Sequence, residues 1–177
     1  MINMSEEIIN KISQSALQTL DLEQFFPEEK ILLFDLKPFL FMELILKEKD
    51  FRAALLNTDW TIYKNEIVGV YCSADAVIPV WAYMLVTSYL QPVAKDVILG
   101  DETTVLRQLI TTRIHAINPD DYKDKRIVVK GCGDKPIGDF AYLEITKLLL
   151  PVAKSIMYGE PCSTVPVYKA PSPKLKT

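Results

Sequence analysis

Three cysteines stand in polar, turn-forming settings: Cys72 in "CSAD", Cys132 in "GCGD" and Cys162 in "EPCST". A carboxylate accompanies each: Asp75, Asp134 and Glu160. A thiolate is both a nucleophile and a soft metal ligand. Three of them, with a carboxylate or water as fourth ligand, can hold zinc, or iron within a cluster. Cys72, Cys132 and Cys162 are therefore the expected metal ligands, and Asp75, Asp134 and Glu160 the carboxylates expected beside them. The spacings, 60 and then 30 residues, match no C-x-x-C knuckle, so only the fold can bring the three together. Two other readings stand beside this one. The thiols could serve a metal-free thiol enzyme or sulfur carrier, or they could fill core space in an interaction module, since free cysteine packs as a small hydrophobe.

Other chemistries are poorly served. His115 is the single histidine, so neither a Ser-His-Asp nor a Cys-His triad has its base unless His115 supplies it. Its place near the end of a helix, toward the opposite edge of the sheet, argues against that. "KGCGDKPIG" (130–138) fits neither G-x-G-x-x-G nor the phosphate-binding loop that ends in Lys-Ser/Thr. No catalytic residue is assigned. A net charge of -3 and a pI near 5.3 leave no basic stripe for nucleic acid. No apolar run is long enough to span a membrane. "MINMSEEIINKI" lacks the basic segment and apolar core of a signal peptide. An odd number of cysteines implies reduced thiols. The expected location is the cytoplasm, and a homodimer is compatible with the composition.

The elements that must position these residues repeat. "AYMLVTSYLQPVAKDVILGD" (82–101) lies over "AYLEITKLLLPVAKSIMYGE" (141–160), and with Trp81 over Phe140 the rows share nine identities in 21 positions. Each copy begins with a β-branched apolar run, "EIVGVYC" or "RIVVKGC", which reads as a buried strand. A polar turn and an apolar helix follow (79–90 or 139–149), ended by Pro92 or Pro151. A second short strand comes next, "DVILG" or "SIMYG". Cys72 and Cys132 then match as the last residues of their strands, with a one-residue slip after them. An amphipathic helix is expected over about 102–116, a strand over 30–36, a strand–turn–helix echo over 43–55 and a marginal helix near 5–18.

Strands alternating with helices predict an α/β fold. We expect one mostly parallel sheet with helices on both faces, built by internal duplication of a β-α-β unit. A single domain would cover 1–168, with duplicated units at about 60–101 and 119–160 and a flexible tail at 169–177. All three cysteines would meet at the carboxyl edge of that sheet, where open α/β sheets bind ligands. Pro161 and Pro166 predict an extended lid carrying Cys162 over the other two.

The segments "CSADAVIPVWAYML", "KGCGDKPIGDFAYLEIT" and "KSIMYGEPCSTVPVYK" resemble a bacterial family catalogued as domain of unknown function 2480, over about residues 5–169. The resemblance implies a small cytoplasmic protein of unassigned activity. It also implies an association with iron–sulfur assembly proteins, which favours the iron or sulfur-carrier reading of the cysteines.

Overall fold

The computed structural model describes residues 17–131 and 133–171. Most of the expected helix at 5–18 lies outside these residues, and its last two positions belong to a strand. The strands are β1 (Leu17–Asp21), β2 (Ile31–Asp35), β3 (Leu40–Phe41), β4 (Ile45–Leu46), β5 (Ile67–Tyr71), β6 (Asp96–Leu99), β7 (Arg126–Lys130), β8 (Ser155–Glu160) and β9 (Ser163–Lys169). The helices are α1 (Glu48–Leu56), α2 (Val80–Leu90), α3 (Glu102–His115) and α4 (Asp139–Leu149). The fold is α/β. The chain divides into two compact units: an inner one, Pro27–Ile110, and an outer one formed by the chain up to Phe26 and from Thr111 onward.

Each unit has its own sheet, and this corrects the expectation of one. The inner sheet runs β2-β5-β6 and is wholly parallel. The outer sheet runs β1-β7-β8-β9, parallel except for β9, which pairs antiparallel with β8. β3 and β4 form a separate two-stranded hairpin. The two β-α-β copies are parallel crossovers as expected, but β5-α2-β6 lies in one sheet and β7-α4-β8 in the other. The cause is β1, which skips past the inner unit's strands to pair with β7.

Within the inner unit, strand alternation sorts the core. Val68 and Val70 of β5 cluster with Phe34, with Phe51 and Leu55 of α1, and with Ala82, Val86 and Leu90 of α2. Ile67 clusters instead with Ile98 of β6 and Val105 of α3, against Ile31 and Leu109. Gly69 permits that second contact. A Cβ there would lie 2.7 Å from the Gly100 carbonyl oxygen and 2.9 Å from a Val105 methyl. Gly69→Ala is therefore expected to overpack the α3 contact and cost about 1–3 kcal/mol in urea unfolding. An unchanged midpoint would show that α3 can back away freely.

In the outer unit the buried residues include Leu20, Leu22 and Phe25, Ile127 to Val129, Ala141, Ile145 and Leu149 of α4, and Ile156. The units share a constant sequence offset of 59 residues. Ile67, Val80 and Asp96 open β5, α2 and β6, and Arg126, Asp139 and Ser155 open β7, α4 and β8. The turns repeat as well. Asn65 and Asp124 both adopt left-handed backbone, and their amides donate to Val93 and Val152 oxygens at 2.9 Å. Asp59 and Asn118 cap matching 3-10 turns by accepting from the Thr61 and Asp120 amides. Gly100 and Gly159 take matching positive-φ conformations. The copies diverge after that glycine, where one enters α3 and the other turns into β9.

Candidate functional site

In a parallel sheet the strand ends gather at one edge, and the outer sheet's carboxyl edge carries charge. Asp21 ends β1, Lys130 ends β7 and Glu160 ends β8. The Lys130 Nζ lies 3.0 Å from Asp21 Oδ2 and 3.9 Å from Glu160 Oε1. Asp21 Oδ1 also accepts from the Glu23 amide at 3.0 Å, so this carboxylate caps the turn Leu22–Phe25 while it holds the ammonium. Partial burial pushes the Asp21 carboxyl up, but hydrogen bonds from the Glu23 amide and Lys130 outweigh it and hold it below its ordinary value. The hydrogen bond to Asp21, then the charges of Asp21 and Glu160, raise Lys130 above its ordinary value. The ammonium is thus fixed in its charged form at the mouth of the edge.

The loop after β7 lies against Glu23 and Tyr142. A side chain at Gly133 would collide with the Glu23 carboxylate, and one at Gly131 would meet the Tyr142 hydroxyl at 2.9 Å. Gly131 also faces the Leu22 Cβ at 3.0 Å and needs glycine for space, whereas at Gly133 the flexible Glu23 side chain could swing aside. Lys135 folds back from the same loop, 5.6 Å over the Phe26 ring.

The inner sheet's edge is built on the same plan with different chemistry. Asp35 ends β2 as Asp21 ends β1, and its carboxylate accepts from the Ser73 amide at 3.0 Å, the Ser73 hydroxyl at 2.6 Å and the Lys37 amide at 2.9 Å. Burial raises this carboxyl, and the Ser73 and Lys37 donors outweigh it to leave it low. Where the outer edge has Lys130, the inner one has Tyr71. Asp101, counterpart of Glu160, instead accepts from the Thr104 amide and hydroxyl at 2.9 and 2.6 Å at the start of α3.

A model of the family described as protein of unknown function (DUF2480) matches residues 6–170. The chain belongs to that family. No curated protein and no solved structure matches it.

In this DUF2480 chain the expected site residues fall as follows. Cys72 follows β5 in the inner unit, is half-buried and packs against the core around Phe34 and Val70. Cys162 is exposed in the two-residue turn, Pro161-Cys162, that joins β8 to β9. Cys132 lies outside the described residues. The offset of 59 pairs Cys72 with Gly131 and Ser73 with Cys132, so the expected match of Cys72 to Cys132 is off by one position. β5 also ends at Tyr71, one residue before Cys72. Asp75 and Asp134 are exposed on their loops. Among the expected residues that are described, only Glu160 is joined to the ion cluster. Among the described residues no group of three His, Cys, Asp or Glu side chains could hold a metal ion.

The expected lid is instead β9, paired with β8 from Glu160–Ser163 to Ser155–Lys169. Pro166 is tolerated because an edge strand leaves alternate amides unpaired. His115 ends α3 and sits 3.0 Å from Glu144 Oε2. No described helix is long and apolar enough to cross a membrane.

Asp21 and Lys130 were not singled out in the sequence. The usable signal was the pair "LQTLD" and "ILLFD", two short apolar runs each closed by aspartate. A second feature, also unforeseen, is an apolar groove of 650 Å³ in the outer unit between α4 and the β8–β9 hairpin, lined by Tyr142, Leu143, Ile156, Tyr158 and Val167. The Tyr142 and Tyr158 rings meet edge to face at 5.6 Å.

Proposed function

We propose that this protein works through thiols at the carboxyl edge of the outer sheet, as an iron–sulfur-linked or sulfur-carrying protein of the cytoplasm. The observation that carries this reading is the Lys130 ammonium held between Asp21 and Glu160. Two cysteines are close to it along the chain: Cys132 two residues after Lys130, and Cys162 two residues after Glu160. A fixed ammonium favours an anionic sulfur species, whether thiolate, persulfide or thiolate-bound cluster, over a bare dication. Iron–sulfur and sulfur-carrier chemistry therefore fit this edge better than zinc does. Asp134 and Glu160 supply the neighbouring carboxylates, and iron–sulfur assembly proteins are the partners. Cys72 has a packing role in this reading. The constant offset of 59 supports descent of both units from one duplicated β-α-β ancestor.

The test is iron, zinc and acid-labile sulfide analysis of anaerobically purified protein, with persulfide mapping of each cysteine. Iron with sulfide, or persulfide on Cys132 or Cys162, is the expected result, and Cys72→Ser should leave it intact. Protein carrying neither under anaerobic conditions would end this reading and leave the interaction module.

A further inference from the structure

The inner and outer sheets present the same strip of residues on one face, but they cover it differently. In the inner unit the strip is Ile31, Ile67 and Ile98, and it is covered by Val105 and Leu109, four residues apart on α3. Strand register gives the outer counterparts directly. Leu17 pairs with Arg126 as Ile31 pairs with Ile67, and Met157 pairs with Val128 as Ile98 pairs with Gly69. Here the chain leaves β8 for β9, so the covering helix has no counterpart at that point of the sequence. Leu17, Arg126 and Met157 line an open groove of 430 Å³, with Pro166, Tyr168 and Lys169 of β9.

We infer that the chain's own N-terminal segment, residues 1–16, docks in this groove and serves the outer sheet as α3 serves the inner one. Its reach and its origin both fit. The segment joins the sheet at Leu17, which itself lines the groove. The groove crosses from β1 to β9, three strand spacings or about 14 Å. Sixteen residues cover that distance even as helix, at about 24 Å. Its sequence fits as well. Ile8 and Ile12 repeat the four-residue spacing of Val105 and Leu109, with Ile9 beside them. Charge is complementary too: Arg126, Lys154 and Lys169 line the groove, and the segment brings Glu6 and Glu7 beside its isoleucines.

A zero-length carbodiimide cross-link on the full chain tests the placement. Glu6 or Glu7 should join Lys154 or Lys169 within one chain, read by mass spectrometry on a mixture of isotopically labelled and unlabelled protein. Links only between labelled and unlabelled chains would assign the groove to a second copy and overturn the inference, as would the absence of any such link. Hydrogen exchange supplies the second readout. In full-length Ile9→Asp, amides of 155–158 and 167–169 should exchange about tenfold faster, the scale expected from losing one buried isoleucine. Exchange at 67–71 and 96–99 should not change. Equal exchange in both proteins would also overturn the inference.

Discussion

Phe51→Ala is expected to destabilise the inner unit by about 3–5 kcal/mol, the range for removing a fully buried phenylalanine ring. Phe51 is 1% exposed and sits between two aromatic neighbours, with ring centroids 5.4 Å from Phe39 and 6.1 Å from Trp81. Phe39 stacks in turn on Phe34, and Phe34 on Trp60, at 5.4 and 5.3 Å. Removing one ring therefore leaves a cavity walled by other rings, whose flat shapes relax into it poorly. A loss of that size is a large share of a domain's total stability, typically about 5–15 kcal/mol. The measurement has a built-in reporter. Both tryptophans of the chain, Trp60 and Trp81, belong to the inner unit, so their fluorescence follows that unit in urea. A shift worth less than about 1 kcal/mol would show that the ring is not central to this core.

Most elements were visible in the sequence. Pro151 ends α4 in the predicted place, and the β-branched runs at 67–71 and 126–130 are strands because only paired, buried backbone suits them. What escaped was non-local. Nothing in "LQTLD" says that its partner is "RIVVK", more than a hundred residues away, and this single pairing splits one expected sheet into two. β9 escaped for a different reason. Pro161 and Pro166 correctly exclude a helix, but the same prolines suit either a loose exit or an edge strand, and only β8 decides between them.

The candidate site was half legible on the same grounds. Glu160 was placed correctly at the carboxyl edge by the β-α-β grammar. Asp21 could not be, because it reaches that edge through the unforeseen strand β1. The cysteine match failed by one residue because the polar turn after each first strand was aligned on its thiols. The constant offset of 59 between the flanking elements pairs Cys132 with Ser73 instead.

Lys130→Met should remove the cation on which the proposed site depends, and the consequence can be read in two independent ways. Asp21 has a depressed folded-state value, so its contribution to stability is present above the unfolded carboxylate range and is lost as pH falls through the folded value. Lys130 has a raised value, so its contribution is full below the unfolded lysine range and is lost as pH rises through the folded value. In the methionine variant burial continues to push Asp21 up while one of the donors opposing it is gone. The acid limb of stability should therefore shift to higher pH and the alkaline dependence from Lys130 should vanish, both followed by urea titrations across pH. The proposed chemistry supplies the second reading. With Asp21 and Glu160 left unneutralised, anionic sulfur at this edge is disfavoured, and iron with sulfide, or persulfide, should fall on the order of tenfold, as expected for loss of a neighbouring opposite charge. Lys130→Arg keeps a cation there and should restore most of it. A methionine variant that shows the shifted acid limb yet keeps its full iron or persulfide content would make the Lys130 cluster a structural clasp, with the thiol chemistry, if present, independent of it.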